Sequence, residues 1–247
     1  IFDVLPLLLD GALLTVQLTA TSLLLGFVIA LPLSLMRATD TAALTWPVLL
    51  YTFVFRGTPL LVQIFLIYYG ASQIEWVRSS FAWEMFREPS WCALIAFSLN
   101  HAAYTTEILR GGIRAVPRGE VEAAKALGMS YALRTRRIVL PIAFRLSLPA
   151  YANEVVLMLK ASSLASTITL MELTGTARKI VAQTFSPYEV FISAALIYLG
   201  FTFIIVHLLA RLEAYFSIPQ QRAQAGNDNR ERSPTSQDNP VLEKVAL

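Results

Sequence analysis

The sequence carries little charge for its length. Only 15% of its 247 residues are Asp, Glu, Lys or Arg, whereas a soluble globular domain carries about a quarter. Long uncharged apolar runs stand in place of the missing charge, and about 20 such residues cross the hydrocarbon core of a bilayer as a helix. The shortage of charge therefore argues against a soluble domain and predicts an all-α integral membrane protein.

Other absences exclude whole classes of function. The single cysteine, Cys92, cannot form an internal disulfide. The phosphate-binding pattern Gly-x-x-x-x-Gly-Lys-Ser/Thr does not occur in the sequence, so we expect neither ATP nor another cofactor to bind this chain. The two histidines, His101 and His207, lack Cys or acidic neighbours at metal-ligand spacing, so no metal site is expected. A net charge of +3, without a basic stripe interleaved with aromatic residues, does not support nucleic-acid binding.

The uncharged runs predict five transmembrane helices. The first run is too long for a removable signal peptide, so we expect it to remain as a spanning helix. The fourth run is the weakest, because Glu154 and Lys160 interrupt it. The predicted spans lie at about 11–36, 57–75, 89–110, 144–168 and 190–211.

The distribution of Arg and Lys between the loops predicts the orientation of the chain. Residues 110–145, between the third and fourth spans, hold eight basic side chains against two acidic ones, which places this loop in the cytoplasm. Five spans over the transmembrane domain, residues 11–215, then put residues 1–10 in the periplasm and the tail 216–247 in the cytoplasm. The tail is too polar to bury a core, so we expect it to be disordered.

The cytoplasmic loop, residues 111–143, carries the strongest motif. Pro117 can begin a short helix and Gly128 can end it in a left-handed conformation. A second short helix can begin with Ser130 as its cap and end near Pro141. The result is a compact two-helix elbow, whose small alanines allow a partner protein to approach closely. An amphipathic loop lying on anionic membrane lipid would also explain the basic excess.

The spacing within the elbow resembles the EAA motif of permeases in bacterial ATP-binding cassette importers. That motif is carried here by Glu122, Ala123, Ala124, Gly128, Ile138, Leu140 and Pro141. Three further segments, residues 55–60, 103–107 and 153–164, resemble the polar amino-acid uptake branch of these permeases. Within that branch the sequence is most similar to permeases for histidine, arginine and opines such as octopine.

The resemblance implies a type-1 importer permease fold that forms one half of a transport pore in the bacterial inner membrane. It also implies the partners of such a subunit: a second permease subunit, two cytoplasmic ATPase subunits, a periplasmic solute-binding protein and the surrounding membrane lipid. The ATPase subunits would hydrolyse ATP, so this chain would be a transporter subunit rather than an enzyme. A secondary transporter or channel would need no ATPase dock, and a membrane enzyme would need a convergent nucleophile or metal set.

The third predicted span carries three polar residues on one face. Asn100, Tyr104 and Glu107 are four and three residues apart, a spacing that brings them to the same side of a helix. Asn100 can either line a transport pathway or form a hydrogen bond between helices. Glu107 lies next to Arg110 near the cytoplasmic end, and we expect the two to form an ion pair.

The fourth predicted span contains a carboxylate at membrane depth. Asn153 and Lys160 share a face, whereas Glu154 lies about 100° round the helix. An unpaired carboxylate is costly there, so Glu154 needs a cationic partner: Lys160, a basic residue of the second subunit, or the substrate itself. Lys160 can also neutralise Glu172 or meet a substrate carboxylate. The predicted pathway residues are therefore Asn100, Tyr104, Asn153, Glu154 and Lys160.

Overall fold

The computed structural model describes residues 5–39, 41–81 and 83–216, and these residues form helices without any strand. The α-helices are α1 Leu5–Ala38, α2 Ala42–Gly57, α3 Leu60–Phe65, α4 Glu75–Arg78, α5 Trp83–Phe86, α6 Pro89–Arg114, α7 Arg118–Ala126, α8 Tyr131–Arg134, α9 Leu140–Ala161, α10 Leu173–Thr184 and α11 Pro187–Phe216. Residues Leu66–Gly70 and Thr135–Val139 form π-helical turns, and Ser162–Ile168 form a 3-10 helix after α9. The predicted tail, 216–247, lies outside the described residues except for its first residue.

Three helical segments within the described part of the chain are long and apolar enough to cross a membrane. They are Leu5–Ala38, Tyr131–Ile168 and Pro187–Phe216, and the bent pair α2 and α3 makes a fourth if it is counted as one span. Helix α6 is not among them, although its 26 residues are long enough. It is more polar because it lies inside the bundle, packed against α1, α2 and α9. The number of five spans therefore stays a prediction.

The predicted second span, residues 57–75, is wrong as a continuous helix. Helix α2 runs up to Gly57, the chain is extended at Thr58, and α3 begins after Pro59 at an angle of 104° to α2. Proline disfavours helical backbone at the preceding residue, which explains the break. The helical segment that follows, six residues of α3 plus five of the π turn, covers only about 16 Å. That length is too short to cross a bilayer.

The predicted end of the second elbow helix near Pro141 is also wrong. Helix α8 passes through the π turn Thr135–Val139 directly into α9, where Pro141 occupies the first turn. Proline lacks an N–H group and crowds the carbonyl four residues earlier. The wider hydrogen-bonding pattern of the π turn accommodates the missing N–H group and the bulk of Pro141. The elbow therefore stays helically continuous with α9.

The centre of the bundle depends on close contact between helix backbones. A Cβ atom on Gly26 of α1 would lie 2.6 Å from Cδ2 of His101 and 2.9 Å from the carbonyl oxygen of Ser98, both in α6. A Cβ atom on Gly112 of α6 would lie 2.5 Å from the carbonyl oxygen of Ala143 in α9. Small residues at such crossings let membrane helices approach closely. Helix α6 is thereby held between α1 and α9.

We expect Gly112→Ala to destabilise the bundle, because the added methyl group would overlap the backbone of α9. Overpacking of this kind costs about 1–3 kcal/mol. The measurement is the thermal stability of the purified protein in detergent. Gly111 has open space at the corresponding position, so Gly111→Ala is the matched control and should leave the melting temperature unchanged. Equal effects of the two substitutions would contradict close α6–α9 packing.

Candidate functional site

Asn100 stabilises the bend between α2 and α3 through hydrogen bonds. Its Nδ2 donates to the carbonyl oxygen of Phe55 at 3.2 Å and to Oε1 of Gln63 at 3.0 Å. Gln63 Nε2 in turn donates to Phe55 O at 2.8 Å and to Thr58 Oγ1 at 2.8 Å. Asn100 and Gln63 are each only 6% exposed. Of the two interpretations from the sequence, the structure therefore favours hydrogen bonding between helices for Asn100.

Tyr104 continues this contact one turn further along α6. The guanidinium of Arg56, at the end of α2, lies 5.3 Å from the centre of the Tyr104 ring. The Tyr104 hydroxyl donates a long hydrogen bond of 3.5 Å to the carbonyl oxygen of Arg56. A cation over an aromatic face is attracted by the negative charge density of the ring. The ring of Tyr104 thus stabilises the positive charge of Arg56 at the end of α2.

Glu154 faces His101 within the same chain. Its Oε1 lies 3.6 Å from His101 Nδ1, and the two side chains are 9% and 0% exposed. His101 was not predicted to be the partner of Glu154, because 53 residues separate the two positions and no local spacing links them. The only sequence feature that pointed to this contact was the presence of a histidine inside a predicted span. The neighbour of Glu154 is therefore an imidazole of α6.

The other predicted pathway residues of α9 point away from this pair. Asn153 and Lys160 are both exposed. Among the described residues, no ion pair or hydrogen bond connects the Lys160 side chain with Glu154 or Glu172. The structure thus separates the predicted pathway residues into the bend contacts of Asn100 and Tyr104, the buried Glu154, and two exposed side chains.

Glu107 forms the predicted ion pair and a second one. Its Oε2 accepts from Arg110 Nε at 2.6 Å, and its Oε1 lies 3.2 Å from Arg37 Nε at the end of α1. The side chains of Arg37 and Glu107 are 14% and 12% exposed. The sequence did not indicate Arg37, which follows the first apolar run. This triad ties α1 to α6 at the end of the bundle that carries the elbow.

Glu172 is a second buried carboxylate, which the sequence suggests only as a possible partner of Lys160. It is fully buried and caps α10: Oε1 accepts from Gly175 N at 2.8 Å, and Oε2 accepts from Thr174 N and the Tyr198 hydroxyl, each at 2.9 Å. The Thr15 hydroxyl of α1 lies 3.3 Å from Oε2. Burial raises the pKa of Glu172, and these hydrogen bonds oppose the rise. Glu172 joins α1, α10 and α11.

The elbow has the turn that its sequence predicts. Gly128 has a φ of 72°, its N–H donates to Lys125 O at 2.9 Å, and Met129 N donates to Ala124 O at 3.1 Å. These two bonds close the end of α7. Ser130 caps α8 by accepting from Leu133 N at 3.4 Å. Pro117 immediately precedes α7.

The elbow also presents apolar side chains at its surface. Leu127 is 82% exposed and Tyr131 is 63% exposed, beside Glu122 and Ala123, which are exposed as well. Ala124 is buried within the elbow, Ile138 and Leu140 are half-buried, and Pro141 is exposed. Clustered exposed apolar side chains mark surfaces for protein interaction. The exposed apolar side chains of the elbow therefore make it a candidate surface for protein interaction.

The fold and this elbow are those of a membrane permease, and the chain belongs to the family of binding-protein-dependent transport system inner membrane components, whose pattern matches residues 22–217. It is 49% identical over 227 residues to the nopaline transport system permease protein NocM of Agrobacterium fabrum, covering 92% of this chain and 94% of NocM. The octopine permease OccM of Rhizobium meliloti is 52% identical, covering 83% and 84%. The histidine/lysine/arginine/ornithine permease HisM of Escherichia coli is 42% identical, covering 82% and 86%.

Solved structures agree with this family. A crystal structure of an amino acid ABC transporter with histidines matches with a TM-score of 0.77 and 34% identity, covering 87% of this chain and 96% of the other. The inward-facing MetNI methionine ABC transporter matches in fold, with a TM-score of 0.72 at 18% identity, covering 86% and 97%. The predictions of an all-helical importer permease fold and of a transporter subunit rather than an enzyme are confirmed.

We expect Asn100→Ala to destabilise the fold, because it leaves the buried Oε1 of Gln63 without its donor and removes one of the two side-chain hydrogen bonds to the Phe55 carbonyl. An unsatisfied buried polar group costs about 1–3 kcal/mol. Asn153 is exposed on α9, so Asn153→Ala is the control and should leave the melting temperature in detergent unchanged. A melting temperature unaffected by Asn100→Ala would contradict the structural role assigned to its amide.

Proposed function

We propose that this chain is one half of the pore of an ATP-driven importer that carries polar or basic amino acids, including opines, across the bacterial inner membrane. The observation that carries the proposal is its 42–52% identity, over most of its length, to permeases named for nopaline, octopine and the basic amino acids. The elbow and the buried carboxylate supply the two physical requirements of such a subunit. One requirement is a docking surface for the ATPase subunit, and the other is a site for the cationic group of the substrate.

The partners in this proposal follow from what the chain offers. The exposed Leu127 and Tyr131 form a surface for a cytoplasmic ATPase subunit, and α8 continues into α9 without a helical break. Movement of the docked ATPase would thus reach the Glu154 region through one helical segment, Tyr131–Ile168. A second permease subunit and a periplasmic solute-binding protein complete the complex. We further propose the N-terminus in the periplasm and the C-terminus in the cytoplasm, as the basic excess of the elbow loop favours.

The long apolar faces of the bundle support residence in lipid. Helix α11 exposes an apolar series along its whole length, and Leu196, Leu199 and Phe203 are each more than 60% exposed. Such a surface is stable against lipid chains or another membrane helix but not against water. Lipid and the second permease subunit are accordingly the neighbours proposed for α11.

We expect Gly128→Val to uncouple the elbow from the ATPase while leaving insertion into the membrane intact. A β-branched residue in the left-handed region costs about 1–2 kcal/mol or more, and no atom lies near the Gly128 Cβ position, so backbone strain rather than crowding is what this substitution tests. The measurements are co-purification of the ATPase subunits and uptake by the reconstituted complex.

Gly128→Asn is the control for added side-chain size, because asparagine adopts the left-handed conformation far more readily than valine. It should keep most of the ATPase association. Normal association and uptake with Gly128→Val would remove the elbow from the ATPase interface.

We expect the reconstituted complex, with its ATPase and binding protein, to take up arginine or histidine only when ATP is supplied, and Glu154→Gln to reduce that uptake roughly tenfold or more. The substitution keeps the shape of the side chain but removes the charge that would meet a cation. Uptake at matched protein levels is the measurement.

Glu189→Gln is the matched control, since Glu189 is exposed in the first turn of α11. Uptake that continues without ATP would contradict the proposed function. Equal losses for cationic and neutral amino acids would indicate a purely structural role for Glu154.

A further inference from the structure

The imidazole of His101 is buried, closely packed and incompletely hydrogen-bonded. Its side chain has no exposed surface, and its Nδ1 has no hydrogen-bond partner among the described residues. Its Nε2 lies 3.2 Å from Thr105 Oγ1, one turn further along α6. The backbone of Gly26 lies against the other edge of the ring, so close that a Cβ atom there would be 2.6 Å from His101 Cδ2. The ring is therefore closely packed along that edge.

Glu154 is the group towards which the free ring nitrogen points. The distance of 3.6 Å between Glu154 Oε1 and His101 Nδ1 is within ion-pair range but too long for a hydrogen bond. A buried polar atom without a partner is rare and calls for an explanation. Contact between a carboxylate and an imidazole nitrogen is attractive when that nitrogen carries a proton, and a hydroxyl that donates to Nε2 places the proton on Nδ1. Thr105 can supply that hydroxyl.

We propose that His101 is a specificity-determining residue of the transport pathway: it acts as the built-in donor to Glu154 when the site is empty, and the cationic end of a basic amino acid or opine replaces it. The loose contact suits exchange, because a bond at full strength would have to be broken before a ligand could bind. A neutral ligand has no cation to exchange for the imidazole and leaves the contact between His101 and Glu154 in place. His101 thus limits how tightly cationic ligands bind and does not affect neutral ones. This inference rests on the proposed function.

Thr105 has a defined part in this arrangement as a positioning residue. Thr105 is fully buried, and its hydroxyl forms a hydrogen bond with His101 Nε2. The neighbouring Thr106 is equally buried, but its hydroxyl donates to the backbone oxygen of Ala102 at 2.6 Å. The two threonines are therefore a matched pair, of which only one touches the imidazole.

The experiment is equilibrium binding of arginine and of citrulline, its uncharged analogue, to the purified permease–ATPase complex without the binding protein. We expect His101→Gln to tighten arginine binding roughly fivefold, because the competing donor is weakened, while citrulline binding stays unchanged. In the Glu154→Gln background, His101→Gln should have no further effect. Thr105→Val should shift arginine binding in the same direction as His101→Gln, and Thr106→Val should not.

Each result decides a separate point. Equal shifts for arginine and citrulline, no shift with His101→Gln, or equal effects of Thr105→Val and Thr106→Val would overturn the inference, as would absence of arginine binding to the wild-type complex. The conservative threonine variants keep the test valid if His101→Gln lowers the yield of folded protein. Failure of the reconstituted wild-type complex to take up any basic amino acid or opine would instead overturn the proposed function, so the two failures are distinguishable.

Discussion

A polar group at membrane depth can be stabilised only by partners inside the protein, because the hydrocarbon offers none. Helix α6 shows how this constraint shapes the molecule. It carries the buried polar side chains of Ser98, Asn100, His101, Thr105 and Thr106, which lipid could not solvate, so it must be surrounded by other helices. Small residues of α1 and a glycine in α6 itself make that enclosure possible. The apolar helices α1, α9 and α11 can then face outwards.

The same constraint explains where the backbone is allowed to break. At Thr58 the chain leaves the helical conformation, and the amides of Asn100 and Gln63 satisfy the exposed backbone oxygens. After the 3-10 segment, Glu172 satisfies the free N–H groups at the start of α10. In both cases side chains that lie outside the interrupted helix form the hydrogen bonds that its backbone groups lack. These bonds also fix the positions of the neighbouring helices relative to each other. The irregular segments of the fold are therefore also the points where helices are joined.

The sequence predicts well what depends on neighbours along the chain and poorly what depends on contacts across it. Uninterrupted apolar runs predict α1 and α11, and the elbow follows from capping residues and a glycine at fixed spacing. The second span was misplaced because the uncharged run continues through Pro59, and charge alone does not register a bend. The partners of Asn100 and Glu154 lie 45 and 53 residues away along the chain. No local period connects such pairs, so only the packing of α6 reveals them.

The two buried carboxylates, Glu154 and Glu172, differ in how many hydrogen-bond donors their oxygens already have. Glu172 accepts from two backbone N–H groups and the Tyr198 hydroxyl, with Thr15 close by, so both of its oxygens are occupied. Glu154 has no such set of donors among the described residues; its ion-pair contact is with an imidazole nitrogen at 3.6 Å. A carboxylate already saturated by fixed donors gains little from a ligand, whereas one that is buried and incompletely satisfied gains most from an incoming cation. Burial alone would make both carboxylates candidates for the substrate site. The number of donors indicates a structural role for Glu172 and supports the proposal that Glu154 meets the substrate.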